Sequence, residues 1–379
     1  MSGRKKKPEE PVQAMDELIY WLWLARALGP GHPRAGKIIE KYEDAKEAWI
    51  VRKTDGFREL AGEAAFARAS RPENAPQTFL AFTRECAEKG IQILPYGDPD
   101  YPKALCGIPD LPVVLYCTGN PQWLNQAPQV GIVGSRKPDE YGRKAAKAIS
   151  GELARCGAVI VSGLADGLDS VAHTAAVENN KPTIAVLGVT IDRTYPASKR
   201  ELRKKIEACG CVISEYPPKG CYMGANGFLQ RNRLIAALSK AVLVVEARED
   251  SGTMYTAAYA KQYDRPVYAV PGEIYSPYCT GTNALLRDKQ VKVACRAADL
   301  FDVLGIHEQS EEPAESKAPK APLNDTEKKV MEHIGHQPVS VEELRVNTGL
   351  PMPALVCTLM KLVLYERITQ QPGQRYVLR

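Results

Sequence analysis

Between residues 128 and 303 the chain alternates short, almost wholly apolar runs with longer segments of mixed polarity. Runs of four or five apolar residues predict strands buried on both faces, and the segments between them predict helices. This alternation is typical of an α/β fold with a doubly wound, mostly parallel sheet, here called Rossmann-like. The predicted strands cover residues 130–133, 158–161, 183–187, 211–213, 241–245 and 267–270, and the clearest helices cover 140–155 and 253–262.

The flanking segments predict additions to this fold. Strand-like runs at 91–94 and 113–116 predict an extension at the edge of the sheet. Short helices broken at Gly29-Pro30-Gly31 predict a sterile-alpha-motif-like or helix-hairpin-helix module, or else a small packing domain. Three helices, the first capped by Thr326, and a hairpin around Pro372-Gly373 predict a winged helix. The predicted domains are a disordered basic tail (1–14), the helical domain (15–75), the extended Rossmann-like domain (76–304), a linker (305–322) and the winged helix (323–379).

Charge and cysteine content narrow the class of protein. The net charge of the 379 residues is +5, but residues 128–300 carry 24 Lys and Arg against 17 Asp and Glu, a net +7 that leaves −2 elsewhere. This excess favours a polyanionic partner, although solvated helix faces explain it equally well. The ten cysteines form no C-x-x-C pair, so we expect small core residues in a reducing cytoplasm and no metal site. No segment reads as membrane-spanning, so no membrane partner is expected.

The first candidate phosphate site is the turn Gly134-Ser135-Arg136, which follows a predicted strand. Its backbone N–H groups and the forked guanidinium of Arg136 suit a phosphate. A dinucleotide site would carry G-x-G-x-x-G and an acid after the second strand. Here that strand ends in Ser162-Gly163 without an acid, which favours a phosphodiester backbone, and no cofactor is expected. The alternative is a plain turn with Arg136 paired to a surface acid.

A second loop, residues 162–169, offers Ser162 and Gly163 at the next strand end. Asp169 stands where a helix N-cap is expected. His173 follows one turn later, but it has no paired carboxylate or nucleophile nearby in sequence. We therefore expect no catalytic residue in this loop.

Two helix starts complete the candidate site. Arg231-Asn232-Arg233 places cations near the start of a helix, where they oppose its dipole, and phosphate contact would offset that cost. Phe228 just before them could stack on an unpaired base. The alternative buries Phe228 in the core and pairs the arginines with Glu215 or Glu246. Ser251-Gly252-Thr253 can hold a second phosphate or be a plain N-cap. Together these turns indicate a track for successive phosphates.

In the order and spacing of these loops the chain resembles the DprA/Smf family of DNA-processing proteins. The resemblance covers nearly the whole chain, including the helical module, the Rossmann-like domain and the winged helix. The matching motifs are Tyr101-Pro102, residues 131–136, residues 162–169 with His173, Tyr195-Pro196, residues 214–217, Arg231-Asn232-Arg233, residues 244–247, Ser251-Gly252-Thr253, residues 269–272 and Gly281-Thr282-Asn283.

The resemblance implies a non-catalytic protein that binds single-stranded DNA, protects incoming DNA during natural transformation and helps to load RecA recombinase. It also implies a homodimer formed through the Rossmann-like domain. The motif match places Gly134, Ser135, Arg136, Ser162, Gly163, Phe228, Arg231 and Asn232 at the DNA, and the loop argument adds Arg233, Ser251 and Thr253. One departure is the neutral Gly224-Ala225-Asn226, where some relatives have a basic residue, and Lys219 is a candidate substitute.

Two other classes remain open at this stage. The glycine-rich loops are similar to those of LOG-type nucleotide phosphoribohydrolases, but Thr256 stands where those enzymes carry a catalytic glutamate. A regulator that binds double-stranded DNA through the winged helix is the other class. Its predicted recognition helix, residues 353–364, has only Lys361 as a cation, which is poor for groove contact. Partner binding is therefore expected of that module, and removal of residues 321–379 should leave affinity for single-stranded DNA nearly intact.

Overall fold

A computed structural model describes residues 12–220, 225–306, 323–335, 337–365, 367–371 and 373–378. The chain divides into two compact units, Met1–Gln309 and Ser310–Arg379. The first unit contains a nine-stranded sheet and the second contains a three-stranded sheet.

The nine-stranded sheet has the order β1-β2-β6-β5-β4-β3-β7-β8-β9. β1 and β2 pair antiparallel at one edge, and every pair from β6 to β9 is parallel. The predicted fold class and the edge extension are thus confirmed, and the six central strands lie within one residue of their predicted ends. The strands are β1 (Gln92–Pro95), β2 (Val114–Gly119), β3 (Gln129–Val133), β4 (Val159–Ser162), β5 (Thr183–Leu187), β6 (Cys211–Ser214), β7 (Ala241–Val244), β8 (Val267–Ala269) and β9 (Val291–Val293).

The winding of the sheet reverses beside β3. The chain runs from β3 through β4 and β5 to β6 in one direction, and then returns to place β7 against the other side of β3. Val130 of β3 therefore pairs with Ile160 on one side and with Ala241 on the other. The carboxyl ends of β3 and β7 diverge into different loops at this point, which opens a crevice of the kind that binds ligands in doubly wound sheets.

Helices cover both faces of the sheet because the side chains of each strand alternate between two apolar cores. Val130 and Ile132 of β3 belong to one core, together with Ile149 of α7. Val133 belongs to the other core, together with Leu234 of α10. The helices of the first unit are α1 (Val12–Leu28), α2 (Ala35–Tyr42), α3 (Ala45–Ile50), α4 (Asp55–Ala61), α5 (Glu63–Ala69), α6 (Leu80–Glu88), α7 (Glu140–Arg155), α8 (Leu168–Glu178), α9 (Arg200–Cys209), α10 (Ala225–Leu238), α11 (Thr253–Gln262), α12 (Thr280–Leu285) and α13 (Phe301–Leu304).

The N-terminal helices pack around Trp23, which is fully buried and stacks on Phe57. Their apolar residues continue without a break into the core on one face of the sheet. The predicted break between α1 and α2 is present, with Gly29 and Gly31 at positive φ angles that favour glycine. α1 begins at Val12, so residues 12–14 are helical, and the prediction of a disordered tail over 1–14 is wrong for them. Residues 1–11 lie outside the described residues, and a domain boundary at residue 75 stays a prediction.

The second unit has its own apolar core and the predicted winged-helix elements. The prediction of Thr326 as the first N-cap is wrong. Asn324 caps that helix, since its Oδ1 accepts the Glu327 N–H at 2.8 Å while Glu327 Oε2 accepts the Asn324 N–H at 2.9 Å. Such a reciprocal capping box satisfies two otherwise unpaired donors. The elements are α14 (Asp325–Met331), β10 (Val339–Ser340), α15 (Val341–Thr348), α16 (Met352–Leu364), β11 (Ile368–Gln371) and β12 (Arg375–Leu378), in sheet order β10-β12-β11.

Parts of two predictions lie outside the described residues. These are Pro372 of the predicted hairpin turn and residues 307–322 of the predicted linker. Within the described ranges no single helix is long and apolar enough to cross a membrane. One bent pair, Val341–Thr348 with Met352–Val363, passes by length and composition, and its Leu344 and Leu355 are buried in the core of the second unit.

Candidate nucleic-acid interface

A cavity of about 490 Å³ lies at the reversal of the sheet, between the turn after β3, the loop after β7 and the first half of α10. Among the described residues that line it, Asp169 is the one carboxylate. Four cations line it: Arg136, Lys137, Arg231 and Arg248. The cavity therefore attracts anions.

The turn Gly134-Ser135-Arg136 is fixed from two sides. The Ser135 N–H donates to the carbonyl oxygen of Glu246 at 2.7 Å, and the Thr253 hydroxyl donates to the carbonyl oxygen of Gly134 at 3.1 Å. A Cβ added to Gly134 would lie 3.0 Å from the Glu246 carbonyl oxygen, so close packing requires glycine here. The turn lines the cavity as predicted, but the Ser135 N–H is used internally and is not available to a ligand.

Arg136 and Phe228 meet in this cavity. The guanidinium carbon of Arg136, an exposed residue, lies 5.6 Å from the centroid of the Phe228 ring. The Tyr195 ring also contacts the Phe228 ring, with 5.2 Å between the ring centroids and an interplanar angle of 41°. Phe228 is partly buried: it packs against the apolar core on one face of the sheet and also lines the cavity. A cation beside an aromatic ring suits a phosphate next to a stacked base.

Ser162 and Gly163 do not offer donors to the cavity, in contrast to the prediction. The fully buried Ser162 hydroxyl donates to the carbonyl oxygen of Ile132 at 2.6 Å, and the Gly163 N–H donates to Asp169 Oδ2 at 3.2 Å. The predicted N-cap role of Asp169 is also wrong, because Gly167 is the N-cap of α8 and Asp169 lies in its first turn. The Asp169 carboxylate instead accepts the Gly163 N–H, which is therefore not available to a phosphate.

His173 lies on α8 and is fully buried behind the loop that follows β4. Its Nδ1 is 2.7 Å from the Thr183 hydroxyl, and burial lowers the pKa of the imidazole to about 3. The described residues contain no group of three His, Cys, Asp or Glu side chains that could hold a metal ion.

Arg231 forms part of the floor of the cavity. Its Nη1 donates to the carbonyl oxygen of Gly163 at 2.6 Å and also to that of Val186, so it joins α10 to the loop after β4 and to strand β5. Burial lowers the pKa of this guanidinium to about 10, while the charge of Asp169 opposes that shift. The two carbonyl groups hold the Arg231 guanidinium in place. Arg231 therefore contributes positive electrostatic potential to the cavity but does not extend toward a ligand.

The prediction that Arg233 contacts phosphate is wrong. Arg233 is buried with its Nη2 on Glu215 Oε2 and its Nε 3.7 Å from Asp110 Oδ2, which is the alternative left open for Glu215. Side chains two residues apart on a helix point in nearly opposite directions. Arg231 and Arg233 therefore cannot both face the cavity. Asn232 does line the cavity, and its Nδ2 donates to the carbonyl oxygen of Gly252 at 3.1 Å.

The start of α11 is a helix N-terminus without a side-chain cap. Gly252 is its N-cap, and Ser251, Gly252 and Thr253 line the cavity. Ser251 caps no N–H of the helix, and the Thr253 hydroxyl donates to the carbonyl oxygen of Gly134, so the first turn has no side-chain cap. Ser251 Oγ is buried and has no hydrogen-bond partner among the described residues. The first-turn N–H groups and the helix dipole favour an anion at this position.

Sequence reasoning missed the role of Glu246. Its side chain is fully buried beneath the turn after β3, where Oε2 accepts the Asp139 N–H at 3.3 Å. Burial, and then the neighbouring Asp139, raise the pKa of Glu246 to about 7. An acid directly after a buried strand was the only available signal.

Lys219 does not replace the missing basic residue. Its Nζ lies 2.5 Å from Glu85 Oε1, and it is not among the described residues that line the cavity. Gly224 lies outside the described residues.

The doubly wound sheet and the basic cavity with an aromatic ring define a Rossmann-like protein with a basic crevice at its switch point. A family profile described as DNA recombination-mediator protein A matches residues 92–305, and one described as DprA winged helix domain matches residues 313–374. The chain belongs to the DNA recombination-mediator protein A family, known as DprA or Smf, which confirms the resemblance seen in the sequence motifs.

Individual relatives agree with this assignment. Protein Smf of Synechocystis sp. is 32% identical over 97% of this chain and all of its own length. DNA processing protein DprA of Bacillus subtilis is 36% identical over 57% of this chain and 72% of its own. The X-ray structure of DprA from Streptococcus pneumoniae matches 76% of this chain and 99% of its own with a TM-score of 0.65 at 29% identity.

A further structure, DNA processing protein A from Helicobacter pylori, matches 57% of this chain and 97% of its own, with a TM-score of 0.52 at 32% identity. It was described for its single-stranded DNA binding mode.

Proposed function

We propose that this protein binds single-stranded DNA in the cavity at the switch point of its sheet and acts as a recombination mediator. The observation that carries the proposal is the approach of Arg136 to the face of Phe228 inside a cavity whose described lining residues include four cations and one carboxylate. The Helicobacter pylori relative described for its single-stranded DNA binding adds support.

The pairing of Arg136 with Phe228 favours a single strand over a duplex. A base can stack on Phe228 only when it is unpaired, and Arg136 then lies within reach of the adjoining phosphate. The uncapped start of α11 offers N–H groups to another phosphate of the same strand. Contacts of these kinds give weak sequence preference and strong salt dependence.

The first test compares ligands. Fluorescence anisotropy with labelled single-stranded DNA, duplex DNA of the same sequence and a mononucleotide competitor should be recorded across a salt series. We expect the single strand to bind most tightly, with an affinity that falls as salt rises. Tight binding of the mononucleotide with no binding of the single strand would overturn the proposal.

The finer parts of the function need separate tests. We expect the protein to stimulate RecA filament formation on single-stranded DNA coated with a single-strand-binding protein, measured as RecA ATPase activity. We also expect a homodimer formed through the Rossmann-like domain, measured by light scattering on residues 1–309 alone. A monomer at all concentrations would contradict the proposed dimer, and the proposal that the protein binds single-stranded DNA would stand.

The rival proposal is a nucleotide phosphoribohydrolase. Thr256 is buried, and Asp169, the single lining carboxylate among the described residues, accepts the Gly163 N–H and lies near Arg231. This arrangement supports a protein without hydrolase activity. Release of free base from a nucleoside monophosphate by the purified protein would favour the enzyme instead.

A further inference from the structure

A second and larger groove, of about 830 Å³, lies on the far side of the loop that follows β5. The start of α9 and residues 191–194 form two of its walls, and the end of β2 forms another. Its described lining includes five Lys or Arg residues and two acids, Asp192 and Glu207. The groove is therefore basic and separate from the cavity that holds Arg136.

Two of these cations have no acidic partner in the part of the chain that the structure describes. Arg203 pairs with Glu207 at 2.8 Å. The two lysines of the groove, Lys89 and Lys204, each pair with a glutamate one helical turn away. Arg193 and Arg200 are exposed and form no ion pair with any described residue. Their charges remain available to an anion from outside the chain.

The loop that carries Arg193 is held in a fixed position. The buried guanidinium of Arg203 donates to the carbonyl oxygens of Ile191 at 2.6 Å and Arg193 at 2.7 Å. Ile191 in turn donates its N–H to the carbonyl oxygen of Tyr216 at 3.1 Å. A cation on a rigid loop loses less conformational entropy when it binds a phosphate.

Tyr195 connects the groove to the cavity. Thr194 lines the groove, and the next residue, Tyr195, lies against Phe228, which lines the cavity. The Tyr195 side chain is 54% exposed although it is a large aromatic group. An exposed ring supported by a second ring offers a flat face on which a further unpaired base can stack.

We propose that a DNA strand bound in the cavity continues across Tyr195 into this groove. Tyr195 stacks on a base, and Arg193 and Arg200 bind the phosphates that follow it. The inference rests on the proposed function, because it extends the path of the same single strand. It makes the binding site longer than the cavity alone.

Oligonucleotide length separates the two parts of this path. We choose strands of about six nucleotides for the cavity alone and of about twenty for the cavity and the groove together, on the scale of the 4–16 nucleotides that one OB-fold covers. The double variant Arg193→Ala/Arg200→Ala should bind the short strand like the wild type. For the long strand it should lose roughly tenfold in affinity, and its salt slope should fall by about 1.4, or 0.7 per lost phosphate contact.

A matched control removes the same charge elsewhere. Arg143 and Arg155 are exposed arginines of α7 that line neither the groove nor the cavity. The variant Arg143→Ala/Arg155→Ala should bind both strands like the wild type. If it loses as much affinity for the long strand as the groove variant does, the effect is one of net charge and the proposal is overturned.

The stacking role of Tyr195 has its own readout. In Tyr195→Trp, long single-stranded DNA should quench the added indole fluorescence, after subtraction of the wild-type signal, and duplex DNA should not. Tyr195→Leu should weaken binding of the long strand. A Tyr195→Trp protein that binds the long strand without quenching would overturn the stacking.

The outcomes also distinguish this inference from the proposed function. A groove variant that binds long and short strands like the wild type leaves DNA binding in the cavity intact and removes the groove from the path. An equal loss on both lengths also overturns the groove, because the short strand does not reach it. A wild-type protein that binds neither strand overturns the proposed function, and the groove falls with it.

Discussion

The guanidinium of Arg231 lies directly against the backbone of Gly163, with a 2.6 Å hydrogen bond from Nη1 to the Gly163 carbonyl oxygen. A Cβ added at position 163 would come 2.5 Å from the same Nη1 atom. Because Arg231 is buried and also bound to Val186, it has little room to move. The loop after β4 and the helix α10 therefore depend on each other for their positions.

Gly163→Ala should destabilise the fold. The new methyl group forces Arg231 away from its carbonyl partners, and overpacking of this kind costs about 1–3 kcal/mol of unfolding free energy. Urea unfolding followed by circular dichroism measures the change. Gly107→Ala is the matched control, since a Cβ there meets nothing within 4 Å. Equal stability of the two variants would contradict the packing described for Arg231.

Arg136→Ala should weaken DNA binding without affecting the fold. Arg136 is exposed, so we expect its loss to change the unfolding free energy by less than about 0.5 kcal/mol. Affinity for single-stranded DNA should fall for all sequences, and the salt slope should fall by about 0.7 as one phosphate contact is lost. Anisotropy titrations measure both. Arg143→Ala, an exposed arginine outside the cavity, should bind normally. An unchanged affinity and slope would remove Arg136 from the site.

Arg233→Met should destabilise the fold and leave the affinity for DNA unchanged, the opposite of Arg136→Ala. The substitution leaves Glu215 and Asp110 without their cation in the interior, and loss of one partner of a buried ion pair costs about 3–5 kcal/mol. The protein that remains folded should bind single-stranded DNA like the wild type. Thermal unfolding and anisotropy on the same sample measure the two quantities. A stable variant with lost affinity would return Arg233 to the binding site.

Much of the fold could be predicted from the sequence because strands buried on both faces are apolar along their whole length. The position of the candidate cavity was also predictable, since the carboxyl ends of parallel strands meet at one edge. The directions of individual groups were not. Helix geometry says that Arg231 and Arg233 diverge, but only tertiary packing decides which of them faces the cavity.

Local sequence also could not show that donors are already used. The Gly163 N–H is taken by Asp169, and the Ser162 hydroxyl is taken by a carbonyl of the neighbouring strand. A glycine-rich turn looks the same in sequence whether its N–H groups are free or bound. The contact between Tyr195 and Phe228 likewise depends on how the loop after β5 folds over α10.

Glu246 should make both stability and DNA binding dependent on pH. Burial and Asp139 raise its pKa from 4.5 to about 7, so the folded state binds this proton more tightly than the unfolded chain does. The stabilisation is fully present below about pH 4.5 and is lost as the pH rises through 7, by up to about 3 kcal/mol. Above that pH the carboxylate also places negative charge behind the turn that carries Ser135 and Arg136. Affinity for single-stranded DNA should therefore fall over the same range.

Glu246→Gln keeps this position neutral at every pH. Between about pH 5 and pH 8 the variant should lose less stability than the wild type, and its affinity for DNA should change less. Urea unfolding and anisotropy at constant ionic strength measure the two slopes. Glu249→Gln, which changes an exposed acid three residues away, should follow the wild-type curves. If Glu246→Gln instead runs parallel to the wild type in both measurements, the Glu246 carboxyl does not titrate in this range.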